Sequence, residues 1–245
     1  MHLTASFVRW SQQRCVPGTT EMKPLTEDHL AIFRRHMVEV IDVEFDLMSE
    51  ETGRLRMGER LRSALLKVPR HLFAPLELAA VAYQDTPLPI GFNKTISQPF
   101  IAAIMIDLLD VGPDDAVLEV GTGFGYQAAV LAELARHVWS VEVVEEFIEI
   151  AQGRLAVLGD ENVTLRVGDG ARGWPDAAPF DKILVTAAAA EVPERLVHQL
   201  KRGGRLVMPR GNEETQQISL VEKDFDDRVT TRAILPARFT RLETV

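Results

Sequence analysis

The sequence predicts an α/β fold, a mainly parallel sheet with helices on both faces and an antiparallel edge at the C-terminal end. Three observations carry the prediction. From about residue 111 to 210, apolar runs of strand length alternate with helix-length amphipathic segments, the pattern of parallel strands joined by crossover helices. The first run, residues 117–120, breaks into Gly121, Gly123 and Gly125 and then into a helix through Ala128, Ala129, Leu131 and Ala132, so strand, tight turn and helix follow without a gap. The last two runs, about residues 217–222 and 230–235, alternate with period two around a turn at 224–227, which reads as a hairpin added to the sheet edge.

Residues 1–28 are polar and broken by Pro17, Gly18 and Pro24, and read as a disorder-prone tail. A helix follows over about 27–43, with Thr26 as its cap and Glu27 and Asp28 in its first turn. A second, about 57–67, places Leu61, Leu65 and Leu66 on one face and ends before Pro69. The passage through Pro87, Pro89 and Gly91 reads as loop. It leads to Asn93-Lys94-Thr95-Ile96-Ser97-Gln98-Pro99, which opens into a helix over 100–109 with Pro99 in the first turn and Ser97 or Gln98 as cap. The hydroxyls of Thr95 and Ser97 are therefore expected at that helix end. Beyond the glycine turn, a strand over 138–143 carries Glu142, and a helix Glu145–Leu158 ends at Gly159. A strand over 162–167 delivers Gly168-Asp169-Gly170, and one over 181–186 opens into four alanines, 187–190. A helix over 192–200 is expected to end at Gly203-Gly204, followed by a strand over 205–208.

Bulk properties exclude several functions. A net charge of −9 over 245 residues argues against a nucleic-acid substrate, which demands a basic face. No apolar run approaches the roughly 18 residues of a membrane span, and no apolar stretch follows Arg9 and Arg14 to make a secretory signal. The single cysteine, Cys15, forms no internal disulfide, so a cytoplasmic location is expected. The six histidines fall in no metal-binding spacing, and no metal site is expected. Nothing in the sequence sets an oligomeric state.

A strand turning sharply into a helix aims unpaired N–H groups and a positive dipole end at a gap where a ligand can lie. A dinucleotide fingerprint would need glycine at position 126, where Tyr126 stands, which weakens a nicotinamide or flavin reading. Glu119 ends the strand before the first glycine. Glu142 lies 21 residues beyond Gly121 (142 minus 121), about the interval at which an acid meets ribose hydroxyls. With both acids, the E-x-G-x-G-x-G stretch resembles the cofactor loop of class I S-adenosylmethionine-dependent methyltransferases. The resemblance implies a Rossmann-like fold and S-adenosylmethionine as cofactor, with S-adenosylhomocysteine as product. It implies contacts from Glu119, Gly121, Thr122, Gly123, Gly125 and Glu142, with Asp169 and Gly170 near the adenine.

Further motifs narrow the class. Tyr83-x-Asp85, Pro89-Ile90-Gly91, Thr95-Ile96-Ser97-Gln98-Pro99, residues 121–129, Gly168-Asp169-Gly170 and Gln199-Leu200-Lys201-x-Gly203-Gly204 occur in that order. Over roughly residues 60–210 they resemble the protein-L-isoaspartate (D-aspartate) O-methyltransferase family, with T-I-S-Q-P as its specific marker. The resemblance implies methyl transfer to the free carboxylate of L-isoaspartyl residues in damaged proteins or peptides, which begins repair through a succinimide. On this reading residues 29–110 form a helical, substrate-side region and 111–245 the cofactor-binding core. A carboxylate is already ionised at pH 7, so no strong base is needed. Ser97 is expected to orient it, with Thr95 assisting, and His71 and His198 are read as structural.

The tetra-alanine lacks the Asp/Asn-Pro-Pro-aromatic motif of nucleobase amino-methyltransferases, which argues further against nucleic acid. Three departures from the family pattern stand out. Lys94 replaces a common glutamine and Arg202 a common proline, both read as surface changes, and Phe239-Thr240-Arg241-Leu242 replaces F-V-P-L at the peptide-binding rim. A carboxyl methyltransferase dedicated to one peptide or small acid, and a cofactor-binding adaptor without turnover, remain as alternatives.

Overall fold

The computed structural model describes residues 25–244; most of the expected 1–28 tail lies outside them. Helix α1 (Glu27–Leu47) begins at a reciprocal cap, in which Thr26 Oγ1 accepts from His29 N at 3.4 Å and His29 Nδ1 accepts from Thr26 N at 3.2 Å. It runs past residue 43 to Leu47 because Met37, Val38, Ile41 and Phe45 keep a buried stripe at helical spacing. A short α2 (Ser49–Thr52) and α3 (Glu59–Lys67) follow, the latter burying Leu61, Ala64 and Leu65.

The proline-rich passage is a hairpin rather than a loop. Strands β1 (Leu88–Gly91) and β2 (Lys94–Ile96) pair antiparallel, with Leu88 opposite Ile96 and an irregularity between Pro89 and Gly91. Phe92 and Asn93 make the turn at φ 49° and 56°, the conformation a two-residue hairpin requires. Helix α4 (Pro99–Leu109) starts at Gln98, but neither Gln98 nor Ser97 caps it with a side chain. Asp85 does so from the preceding loop: its Oδ1 accepts from Phe100 N at 2.8 Å while its Oδ2 accepts from Gln98.

The remaining elements are β3 (Ala116–Val120), α5 (Tyr126–Ala132), β4 (His137–Glu142), α6 (Glu145–Leu158), β5 (Val163–Val167), β6 (Phe180–Val185), α7 (Glu194–Gln199), β7 (Leu200–Gly211), β8 (Gln216–Lys223) and β9 (Val229–Pro236). The strands form one sheet in the order β5-β4-β3-β6-β7-β8-β9, parallel from β5 to β7 and antiparallel at β8 and β9. One face buries Val117, Val138 and Leu184 under α1, α3, α4, α5 and α6; the other buries Leu118, Val120, Ile183 and Leu206 under Leu196 of α7. Buried on both faces, β3 reads as an uninterrupted apolar run apart from Glu119. One expectation fails here. Gly203-Gly204 lies within β7 instead of ending α7, and β7 begins at Leu200. Gly203 sits at φ +74° with the Phe225 ring 2.9 Å from where a Cβ would stand, so the glycine admits a side chain from the β8–β9 turn.

The order β3, then β4 to one side and β6 to the other, places a topological switch at the carboxyl ends of β3 and β6. A crevice opens there in such sheets.

Candidate active site

A cleft of about 530 Å³ lies at that switch point. Its floor is Val120, Gly121 and Gly123 from the glycine turn, its sides are Glu142, Val143, Phe147, Gly170, Thr186 and Ala187, and its mouth is formed by Ile90, Lys94 and Thr95 facing Thr240, Arg241, Leu242 and Glu243.

The floor depends on close packing. Gly121 sits at φ +96°, and a Cβ there would lie 2.2 Å from Thr186 Oγ1. That hydroxyl donates to the carbonyls of Gly121 at 2.9 Å and Val120 at 3.1 Å, so the end of β6 clamps the turn from below. Gly121 N donates to Val141 O at 2.8 Å, extending the β3–β4 ladder into the loop.

The two acids predicted from the sequence behave differently. Glu142 lines the cleft, its Oε1 accepting from Val143 N at 2.8 Å and Val144 N at 3.1 Å and its Oε2 from Gly123 N at 2.9 Å. A carboxylate offers about four acceptor sites, so Oε2 keeps one for a hydroxyl in the cleft. Glu119 is fully buried behind the floor. Its Oε2 accepts from Ser140 Oγ at 2.5 Å, Ser140 in turn shares a 2.6 Å bond with Thr122 Oγ1, and Oε1 has no protein partner. Burial pushes the Glu119 carboxyl up to about 8; the Ser140 bond opposes the rise, and the nearby Glu142 charge adds to it.

Of the other predicted residues, Thr95, Gly123 and Gly170 line the cleft, whereas Thr122, Gly125, Asp169 and Ser97 are not among its lining residues. Asp169 caps the turn at 170–172, accepting from Ala171 N at 2.9 Å with Arg172 Nε 3.4 Å away. Ser97 is half-buried just past β2. Its carbonyl accepts from Nη2 of Arg70 at 2.7 Å; Arg70 is wholly buried, also donates from Nε to Ala82 O at 2.8 Å, and lies 4.8 Å from the Tyr126 ring centroid. This arginine ties the Thr95–Ser97 loop to the start of α5. Sequence patterning does not reveal it, because a buried arginine breaks the rule that charge marks surface. Lys94 corrects a second expectation: its side chain is only 17% exposed and lines the cleft, while Arg202 is at the surface, paired with Asp227. His71 shares a 2.7 Å bond with Tyr83, and His198 stands outside the cleft, exposed beside Glu194.

Among the described residues no histidine or cysteine lines the cleft, and its ionisable groups are Lys94, Arg241, Glu142 and Glu243. Such a site positions reactants and has no evident general base. Among the described residues there is no group of metal-ligating side chains, and no helix long and apolar enough to cross a membrane.

The sheet order, the glycine turn clamped against β6 and the acid at the end of β4 define a class I S-adenosylmethionine-dependent methyltransferase. The residues fit that cofactor: Glu142 lines the cleft with acceptor capacity to spare for a hydroxyl, and Gly121 leaves backbone where a side chain would intrude. A model of the protein-L-isoaspartate (D-aspartate) O-methyltransferase family matches residues 46–244, and the chain belongs to this family. It is 51% identical over 219 residues to protein-L-isoaspartate O-methyltransferase 1 of Polaromonas sp. (strain JS666), covering 89% of this chain and 93% of that one. With protein-L-isoaspartate O-methyltransferase 2 of Syntrophobacter fumaroxidans the identity is 48%, over 88% of each. A solved protein-L-isoaspartate O-methyltransferase superposes with TM-score 0.71 at 30% identity, over 85% of this chain and 65% of that one. A Plasmodium falciparum structure, described as a complex of this type of enzyme with S-adenosyl-L-homocysteine, gives 0.71 at 21% identity, over 86% and 99%, a likeness of fold.

Proposed function

We propose that the cleft methylates the free carboxylate of L-isoaspartyl residues in damaged proteins or peptides, with Thr95 and Ser97 orienting the carboxylate. The observation that supports this most is the convergence on one cleft of the glycine floor and the Thr95-bearing hairpin, with the Ser97 carbonyl fixed by Arg70 directly behind. Bound S-adenosylmethionine supplies an electrophilic methyl group on a sulfonium. Everything else falls to the protein. Gly121, Gly123 and Gly170 would present backbone to the cofactor, Glu142 Oε2 would accept from a ribose hydroxyl, and Asp169 would stand near the adenine. The nucleophile arrives ionised, so the protein has no proton to remove. Its task is alignment of the carboxylate oxygen with the methyl carbon, the kind of contribution that accounts for several kcal/mol of an enzyme's barrier reduction. Of the four alanines after β6, Ala187 lines the cleft and leaves space there, while Ala188 is buried against the 240–242 segment. The adjoining backbone amide nitrogen then attacks the ester carbonyl and expels methanol, closing a succinimide that water opens in part to normal aspartate.

Damaged sites differ in sequence, so polypeptides are held largely through backbone at the open mouth. The net charge of −9 and the lack of an amine-holding motif after β6 argue against a nucleic-acid substrate. The lone Cys15 is in keeping with a cytoplasmic enzyme.

The test is transfer of labelled methyl to a short isoaspartyl peptide beside its aspartyl twin. Base-labile label on the isoaspartyl peptide alone, with kcat/KM reduced about tenfold or more by Ser97→Ala, is expected. Equal labelling of both peptides, or none while cofactor still binds, overturns the reading.

A further inference from the structure

The cleft mouth carries an ion pair that the reaction as described does not use. Lys94 Nζ lies 2.5 Å from Glu243 Oε1, joining the β1–β2 hairpin to the C-terminal segment across the opening, and both residues line the cleft. The partners are unequally held. Lys94 is 17% exposed and set in β2; Glu243 is 55% exposed and follows the last anchored residue, Leu242, whose N–H donates to Ala188 O at 2.8 Å. Glu243 can therefore swing away without disturbing the bridge behind it. The other cation at the mouth, Arg241, is 77% exposed and engaged with Glu213 at 3.2 Å. Lys94 is thus the sheltered cation facing the place where a substrate carboxylate must arrive, and its present partner is itself a carboxylate.

We propose that Lys94 captures the free carboxylate of the isoaspartyl residue and that Glu243 is its resident counter-ion, displaced on substrate entry and restored on product release. The inference rests on the isoaspartyl reading of this cleft. The exchange is between like groups: one carboxylate leaves the ammonium as another takes its place, so the cleft never holds an unpaired lysine. Methylation then removes the negative charge of the substrate. A neutral ester has no claim on the ammonium, Glu243 returns, and product is discriminated from substrate by charge.

Charge loss at the carboxylate also decides which kinetic constant responds. In the transition state the carboxylate loses charge to the methyl group, so a cation stabilises the bound substrate more than the transition state. Lys94 therefore acts on KM without raising kcat, and is a substrate-positioning residue rather than a catalytic one.

The competing possibility is a purely structural strap, in which the pair only holds the C-terminal segment onto the hairpin. The two are separated by the sign of paired substitutions. Under counter-ion exchange, Lys94→Gln raises KM for an isoaspartyl peptide by about fivefold, the scale of one charged contact at a cleft mouth still open to solvent. Glu243→Gln lowers KM, because the competing carboxylate is gone, and Lys94→Gln/Glu243→Gln matches Lys94→Gln alone. A strap gives changes of the same sign from both single substitutions, and that result overturns the proposal. Thermal melts of each variant show whether any change in KM follows from lost folding. Failure of the wild type itself to methylate isoaspartyl peptide would instead sink the functional reading, leaving the two failures distinct.

Discussion

Replacing Glu119 with glutamine should make the protein more stable at alkaline pH, although it removes an ionisable group beside the cofactor loop. The Glu119 carboxyl is fully buried, has one oxygen without a partner and titrates near 8, against 4.5 for the free group. Below 4.5 both folded and unfolded chains carry the proton and the residue adds no pH dependence. Between 4.5 and 8 the folded chain holds a proton the unfolded chain has released, so stability falls as pH rises, by about 1.4 kcal/mol per unit. By pH 7 the loss is about 3 kcal/mol, and above 8 it levels near 5 kcal/mol. Glutamine has no proton to lose and keeps an oxygen for the Ser140 hydroxyl, but places an amide where Oε1 has no partner, a cost of about 1–3 kcal/mol. Urea unfolding of wild type and Glu119→Gln at pH 5, 7 and 8.5 reads the difference. The variant should be the less stable at pH 5, close to the wild type at pH 7, and ahead by about 2 kcal/mol at pH 8.5. A stability difference that stays constant across the three pH values would refute the assignment of a protonated, buried Glu119.

Three further outcomes are expected. Gly121→Ala places a Cβ 2.2 Å from Thr186 Oγ1 at φ +96°, so beyond about 1–2 kcal/mol of backbone strain it should lift the turn from the end of β6 and weaken S-adenosylmethionine binding at least tenfold by calorimetry. Arg70→Met strands the carbonyls of Ala82 and Ser97 in the interior; denaturation should show a loss of about 2–4 kcal/mol, with peptide KM rising more than cofactor Kd. Glu44 is pushed up to about 7, first by burial and then by the Asp85 carboxylate beside it; Asp85→Asn should lower the Glu44 midpoint while leaving it above 4.5, as followed by carboxyl carbon NMR.

What the sequence disclosed and withheld follows from physical range. The glycine turn, Glu142 and the alternation of strand and helix are local patterns, and each was legible. The β1–β2 hairpin was not, because its strands are four and three residues long and contain Pro89 and Gly91, residues that ordinarily end a strand. The cap of α4 comes from Asp85, thirteen places before Gln98 in the chain, so a search of adjacent residues selects the wrong group. Lys94 reads as surface because nothing in its neighbours announces the segment at 240–243 that shelters it. Arg70 is masked by its own charge. Apart from the hairpin, each omission involves a contact between separated parts of the chain.

The far wall of the cleft hangs almost entirely on peptide groups. Ala188 N donates to Thr240 O and Leu242 N to Ala188 O, both at 2.8 Å, and Gln216 grips Phe239 by accepting from its N–H at 2.7 Å and donating to its carbonyl at 3.2 Å. Such a rail fixes the course of the chain but leaves its outward side chains unspecified. Thr240 and Arg241 can therefore be exchanged while the wall keeps its path, so the rim can change its chemistry with the glycine floor untouched.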